Sequence, residues 1–534
     1  MEKILKLYED QGYLKKETIH GEIKKTAKKY PEKIALHDSK GSMTYCILNE
    51  YSDGLAAYFL EKGLSDGDIV LLQIPNCNLY VTVLLALLKV GIKPVLMLPT
   101  HRQQEIVSVA SIVKPKAYIG ITEFLGTSYV EMVSQIKNLG IQSIYTDQNF
   151  EGESIYPCKK LPEYNVEMKD CKVSYNMDYR SIALFLLSGG TTNLPKVIPR
   201  IHEAYVYNSK ATCKCIGITK ETVNMALLST SHDFQLASPG ILGTLYSGGT
   251  VVLSETSSFD EAFALIEKHK VTFTCIVPAI AKIWAEVLDW YDGDLSTLER
   301  MMIGAAKLDE DLGRKLIDCL QIVLHQAYGL GEGITCTTRQ EDDLETILHS
   351  QGKPVSEGDA IKIVDSMGHE LPQGESGELY EKGPYTFFGY YGNLDLNQDL
   401  FDKDGYLKTG DKAYLNAKGN IVICGRVKEQ INKAGENVSP SEVETILRSC
   451  SYIREAVVLG MSDEKLGEKV VAVVTADREE IEIKEIGALF RTKGIASYKI
   501  PDDIYVWETI PYTNIGKVDK KLIKKRLEEI NGGI

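Results

Sequence analysis

Apolar positions along the chain recur with two periods that alternate. Between Leu48 and Lys62 they fall at helical spacing, whereas Asp68–Ile74 (DIVLLQI) is a compact apolar run of strand length. The same order of helix then strand returns at Leu79–Lys89 followed by Lys93–Leu98, and at Phe259–Lys268 followed by Val271–Val277. Such wiring predicts parallel sheets covered by helices. From about Gly352 the texture changes to short strands punctuated by Gly, Pro and Asp, as in ESGELYEKGP, DKDGYLKTGD and NAKGNIVICGR, which predicts a small β-rich subdomain over about 352–425. A further break follows Gly425. Beyond it, a helix opened by Ser439-Pro440, strand patterns at Arg454–Gly460 and Lys469–Thr475, and a last helix predict a separate α+β module over 426–534. The fold class expected is α/β: a large N-terminal domain, 1–425, of two αβ-layered sheets and a small β-barrel-like subdomain, followed by a smaller α+β C-terminal domain.

Composition narrows the function classes. The 534 residues exceed one ordinary domain, and length alone suggests three or four structural units. Hydrophobic residues at 44% and charged residues at 25% are ordinary for a globular protein, so neither disorder nor a fibrous repeat is suggested. Sixty basic against seventy-four acidic residues give a net charge of −14, which argues against general binding to nucleic acid or anionic membranes. The basic stretch Lys517–Arg526 reads as the solvated face of a terminal helix. Eleven cysteines without CxxC spacing suggest a reducing, cytoplasmic setting rather than a disulfide framework or a zinc site. The start, MEKILKLYEDQGYLKK, lacks the uninterrupted apolar core of a signal peptide. Leu79–Leu88 is too short to span a bilayer and reads as a buried helix.

The segment Leu184–Arg200, LFLLSGGTTNLPKVIPR, is the most informative for chemistry. An apolar strand runs into Ser188, Gly189, Gly190, Thr191 and Thr192, and Lys196 follows. Two glycines let backbone N–H groups turn toward an anion, three hydroxyls donate to phosphate oxygens, and the lysine adds positive charge. The pattern is not GxxxxGK[ST], which argues against a P-loop ATPase. Standing alone, the same segment also fits a polar hairpin turn.

The string Ser-Gly-Gly-Thr-Thr…Pro-Lys resembles the phosphate-binding signature of the acyl- and aryl-adenylating superfamily, and four further segments match it in order. Tyr328-Gly329-Leu330-Gly331-Glu332 resembles the motif whose glutamate is a magnesium ligand, and Thr409-Gly410-Asp411 resembles the motif whose aspartate grips the ribose. Gly425-Arg426-Val427-Lys428 resembles the inter-domain hinge, and Ile515-Gly516-Lys517 resembles the loop carrying the lysine of adenylation. The resemblance covers essentially the whole chain. It implies ATP and Mg2+ as cofactors, with Ser188, Gly189, Gly190, Thr191, Thr192, Lys196, Tyr328, Asp411 and Arg426 around ATP, Glu332 on the metal and Lys517 as the catalytic cation. It also implies a mobile C-terminal domain that turns about Lys428 and brings Gly435 to the path of a pantetheine thiol.

Within the superfamily the chain looks most like stand-alone aryl-acid ligases that load carrier proteins in siderophore assembly, such as 2,3-dihydroxybenzoate:AMP ligases. Tyr8–Tyr13, Leu98–Arg102 and the stretch from Ser231 to Gly240 carry that closer likeness. It implies an acid pocket lined by His232, Asp233, Phe234, Ser238, Ala305, Leu330 and Ile334. Its nearest relatives usually have asparagine where this chain has Asp233 and glycine where it has Ala305. An ionised aspartate only accepts hydrogen bonds and repels a carboxylate, so Asp233 raises an amino-substituted aryl acid or an amino acid as alternatives to a hydroxybenzoate.

The expected function is therefore ATP-dependent activation of an aryl carboxylic acid, followed by transfer to the phosphopantetheine thiol of a separate carrier protein. Sequence separates this poorly from an acyl-CoA ligase that uses free coenzyme A. A catalytically silent adenylate-binding regulator is the alternative from another class, and retention of Lys517, Glu332 and Asp411 argues against it. A homodimer is compatible with the sequence.

Overall fold

The computed structural model describes residues 2–171, 177–188, 196–427, 431–433, 436–463, 466–493, 495, 497–513 and 517–531. The chain divides into two compact units, Met1–Ala360 with Glu381–Leu407, and Ile361–Tyr380 with Lys408–Ile534.

The first unit holds two large sheets. One runs in the order Lys353–Pro354, Thr335–Thr337, Val323–Gly329, Arg300–Ile303, Phe273–Ile276, Val223–Ala226, Thr250–Leu253, Ile34–Asp38, Gly41–Thr44. The other runs Val197–Ile201, Ile182–Leu187, Lys93–Leu96, Ile69–Gln73, Ala117–Gly120, Ser143–Thr146, Cys158–Lys160. Side chains along these strands alternate between faces, as the two-residue period requires. Val70 and Leu72 enter one apolar cluster and Leu71 another, and the adjacent Val251 and Val252 are divided in the same way. The largest cluster takes residues from both sheets and from the helices Ile19–Lys29, Tyr45–Glu61, Asn78–Lys89 and Gly240–Ser247. These helices therefore form a layer shared by the two sheets, which is why a length that suggests three or four units produces two compact ones. The helix Asn78–Lys89 is buried from Tyr80 to its end, as a helix covered on all sides must be. Its terminal Lys89 is held by Asp53 at 2.7 Å, Ser52 Oγ at 2.7 Å and the Asn49 carbonyl at 3.0 Å, and burial lowers its pKa to about 8.

The sequence pattern located most of these elements to within a few residues. The helix expected from Leu48 begins at Tyr45, because Thr44 caps it by accepting from the Ile47 N–H at 3.2 Å. The helix expected over Phe259–Lys268 spans Phe259–His269, with Ser258 as its cap.

The second unit contains a four-stranded sheet, Ala360–Val364, Gly377–Lys382, Leu407–Leu415 and Ile421–Arg426, in that order. It also contains a sheet built on the long antiparallel pair Ile453–Asp463 and Gly467–Ala476, packed with the helices Pro440–Arg448 and Ile483–Thr492. Pro440 stands at the first helical turn, where its missing N–H costs nothing. All eleven cysteines are free thiols. Among the described residues no helix is long and apolar enough to cross a membrane.

Two strained or buried positions in the first unit have measurable consequences. Asp359 accepts from Tyr385 Oη at 2.7 Å and from the Ser356 N–H at 3.3 Å, while its Oδ1 lacks a hydrogen-bond partner among the described residues. Burial pushes its pKa up to about 8. Between the ordinary carboxyl range near 4 and pH 8 the folded chain then holds a proton that the unfolded chain releases, so this group's contribution to stability falls as pH rises across that window. Asp359→Asn removes the titration, and its melting temperature relative to wild type is expected to improve from pH 5 to pH 9. A constant difference across that range in calorimetry counts against the assignment. Ala305 sits at φ 67°, a left-handed conformation that costs a residue with Cβ about 1–2 kcal/mol. Ala305→Gly is expected to gain somewhat less than that, about 1 kcal/mol, because glycine loses more freedom on folding. Chemical denaturation that shows no gain refutes the strain.

Candidate active site

Two loops and a short helix of the first unit carry most of the candidate residues. The first loop joins the antiparallel strands Ile182–Leu187 and Val197–Ile201, whose pairing closes with Leu187 opposite Val197. Just beyond, the Ser188 N–H donates to the Lys196 carbonyl at 3.0 Å, and the Lys196 N–H reaches Ser188 Oγ at 3.4 Å. Ser188 and Lys196 thus form the neck of the loop, both half-buried. Gly189, Gly190, Thr191 and Thr192 lie outside the described residues.

The second loop follows the strand Val323–Gly329 and holds Leu330 to Ile334. At Gly333 the backbone lies close to the Glu381 carboxylate: a Cβ there would fall 1.3 Å from Glu381 Oε1, which accepts the Ile334 N–H at 3.0 Å and would have to give up its position. Ile334 is buried, whereas Tyr328, Leu330 and Glu332 are half-buried. The Glu332 carbonyl accepts from the Phe387 N–H at 2.8 Å, and its Oε1 accepts from Tyr390 Oη at 2.9 Å. Burial pushes the Glu332 carboxyl up, opposed by that hydrogen bond and by the charges of Lys196 and Arg200. The Lys196 ammonium lies 4.8 Å from the Tyr390 ring centre, which joins the two loops through one aromatic side chain.

Arg200 makes a second connection. It is 3% exposed and donates to the Gly331 carbonyl at 2.6 Å, while its guanidinium rests 5.2 Å from the Tyr205 ring centre. Tyr205 Oη in turn donates to Asp233 Oδ1 at 2.7 Å. Burial and the Asp233 carboxylate both raise the Tyr205 pKa, so its hydroxyl stays a donor.

Asp233 opens the short helix Asp233–Ala237 after the His232 cap, whose Nδ1 accepts from the Phe234 N–H at 3.3 Å. The approach to this helix is fixed by Asn76, which donates to the Leu228 carbonyl at 2.9 Å and accepts from the Thr230 N–H at 2.9 Å. Ser238 Oγ donates to Asp233 Oδ2 at 3.3 Å and itself accepts from Asn208 Nδ2 at 3.2 Å, and Asn208 Oδ1 accepts from Thr335 Oγ1 at 3.3 Å. The Phe234 ring packs beside Gly304, where a Cβ would come within 3.2 Å of Cζ. Ala305, the next residue, is exposed.

A continuous run of contacts therefore links Ser188, Lys196, Glu332, Arg200, Asp233 and Ser238 within one unit. Arg200, Tyr205, Asn208 and Tyr390 were not singled out by sequence reasoning. An arginine in the apolar strand Val197–Ile201 was the one available signal, since charges seldom enter such strands unpaired.

The remaining residues are in the second unit. Asp411 and Arg426 are paired across adjacent strands, with Oδ1 and Nε 2.8 Å apart, and Asp411 is the more buried of the two. The turn before them is set by Gly410 at φ 71° and by Thr409 Oγ1, which accepts from the Asp411 N–H at 3.0 Å and donates to the Leu379 carbonyl at 2.8 Å. Lys517 is exposed where its carbonyl accepts from the Thr513 N–H at 2.6 Å. Lys428 and Gly435 lie outside the described residues.

Comparison with known proteins identifies the family to which the chain belongs. The AMP-binding enzyme family matches residues 23–391, and the AMP-binding enzyme C-terminal domain matches residues 442–517. Pyochelin synthase PchD of Pseudomonas aeruginosa is 35% identical over 522 residues, covering 97% of this chain and 94% of that protein. The 2,3-dihydroxybenzoate-AMP ligase of Bacillus subtilis is 35% identical over 532 residues, covering 99% of this chain and 97% of that protein. Among solved structures, apo MbtA of Mycobacterium smegmatis is 32% identical and covers 98% of both chains, with a TM-score of 0.74. Sequence order, fold and identity agree, and the chain belongs to the AMP-binding enzyme family.

Proposed function

We propose that this protein is an acid–AMP ligase that activates an aryl carboxylic acid of the size of 2,3-dihydroxybenzoate with ATP, then passes the acyl group to a phosphopantetheine thiol on a separate carrier protein. The observation that supports this most directly is the run of contacts from Ser188 and Lys196 through Glu332 and Arg200 to Asp233. It brings Ser188 and Lys196, at the neck of the candidate phosphate loop, into one set of contacts with Glu332, Arg200 and Asp233, which suits attack of a carboxylate on an α-phosphate. The similarity to aryl-acid ligases over nearly the full length supports the acid class.

The reaction brings two anions together, so cations must neutralise the charge that develops on the α-phosphate. Ser188 to Thr192 and Lys196 would bind the phosphates, and Tyr328, Asp411 and Arg426 the nucleoside. Lys517 would supply the catalytic cation. His232, Phe234, Ala305, Leu330 and Ile334 would complete the pocket around Asp233 and Ser238.

Glu332 fits magnesium: it presents one hard carboxylate, and no group of three or more His, Cys, Asp or Glu suited to a metal occurs among the described residues. Magnesium bound to a nucleotide takes one or two protein carboxylates, the rest of its shell being phosphate and water. When bound it would offset phosphate charge; Glu332 would hold it while Tyr390 fixes the carboxylate. After adenylation, residues 426–534 would turn about Lys428 and bring Gly435 to the incoming thiol, in a reducing cytoplasm where the eleven free thiols persist.

Pyrophosphate exchange over a panel of aryl acids and α-amino acids tests the reading. Wild type is expected to turn over aryl acids, with Lys517→Ala and Glu332→Gln each lowering kcat by on the order of 100-fold or more. Turnover of α-amino acids alone, or full activity of Lys517→Ala, overturns it. Acyl transfer to a holo-carrier protein, compared with free coenzyme A, decides the acceptor.

A further inference from the structure

Asp233 belongs to the candidate acid pocket, and the hydrogen bonds around it have a direction. Tyr205 has one hydroxyl proton, and it is committed to Asp233 Oδ1 at 2.7 Å. Ser238 has one, committed to Asp233 Oδ2 at 3.3 Å, while Ser238 Oγ is kept in that sense by the Asn208 amide donating to it. Asn208 is oriented in turn by Thr335 Oγ1 donating to its carbonyl oxygen. Each carboxylate oxygen keeps a further lone pair, and the Tyr205 and Ser238 oxygens offer only acceptor capacity. The wall made by these groups is therefore all acceptor, and its one formal charge is negative.

We propose that Asp233, fixed by Tyr205 and Ser238, is the specificity-determining residue of the pocket and selects an aryl acid carrying an amino group ortho to its carboxylate. The proposal rests on the adenylating function above and narrows its substrate. A 2-hydroxybenzoate has a single phenolic proton, which its own carboxylate takes, and it then presents a lone pair to Asp233. A 2-aminobenzoate has two N–H bonds on the same atom, one for its own carboxylate and one for Asp233. An acceptor facing an acceptor is left unsatisfied at a cost of about 1–3 kcal/mol, which is a discrimination on the order of tenfold to a hundredfold. Tyr205 acts as a positioning residue: its ring lies under the Arg200 guanidinium and its hydroxyl sets the Asp233 rotamer.

The test is pyrophosphate exchange with the full chain, using 2-aminobenzoate, 3-hydroxy-2-aminobenzoate, salicylate and 2,3-dihydroxybenzoate as matched acids. Wild type should favour each aminobenzoate over its hydroxybenzoate counterpart by at least about tenfold in kcat/KM. Asp233→Asn, which adds a donor at the same position, should reverse the order, and Tyr205→Phe should shrink the ratio by raising KM for the aminobenzoates while KM for ATP stays constant. Preference of the wild type for the hydroxybenzoates overturns the inference without any variant needing to fold. A ratio unmoved in Asp233→Asn also overturns it. In both cases the enzyme still adenylates aryl acids; absence of turnover with every aryl acid instead removes the underlying function.

Discussion

The hydrogen bond from Arg200 to the Gly331 carbonyl is the interaction on which the site's assembly depends. Arg200 belongs to a strand of one large sheet, and Gly331 follows a strand of the other. The sheets are separated by a shared helical layer, so their strand ends need a direct tie if loops from both are to act on one substrate. A guanidinium suits that task because its several donors lie in a rigid plane, which lets it bond a carbonyl while its face covers the Tyr205 ring. Burying it at 3% exposure would be costly were the charge not compensated, and Glu332 lies within electrostatic reach.

Much of the fold was legible because burial imposes short periods on the sequence. Strands covered on both faces read as apolar runs, and helices at the outer surface read as amphipathic stripes, so Asp68–Ile74 and Phe259–Lys268 were each found within two residues. Sharing of the helical layer was less visible. A helix buried all round, such as Asn78–Lys89, looks the same in sequence whether one sheet or two cover it. Grouping of the four-stranded sheet with the C-terminal residues was equally invisible, since the break in texture at Gly425 is a local signal and compactness is not.

The site shows the same division. Residues with distinctive local chemistry, such as the hydroxyl-rich stretch after Leu187 and the acid of the glycine-flanked loop, could be named from their motifs. Arg200, Tyr205, Asn208 and Tyr390 act by reaching across 28 to 131 positions. Nothing near them in sequence marks that reach. Asn208 is the plainest case: on the helix His202–Ile216 it is one polar residue among several, and only the fold reveals that it sets the direction of the hydrogen bond between Ser238 and Asp233.

Charge along the run of contacts alternates: Lys196, Glu332, Arg200, Asp233. Alternation keeps each buried charge near an opposite one and leaves the set close to neutral, which holds the desolvation cost down before any ligand arrives. It also means that, among the described residues of this run, no excess positive charge remains for an incoming carboxylate and triphosphate. Further positive charge has to come with the ligand, as a metal ion on the nucleotide, or from outside the first unit, as Lys517 would supply it. A candidate pocket that includes Asp233 extends the same rule to the organic substrate, because a carboxylate brought to it leaves two anions facing each other unless the substrate also carries a hydrogen-bond donor. Asp233 is thus the continuation of an electrostatic pattern that begins at Lys196.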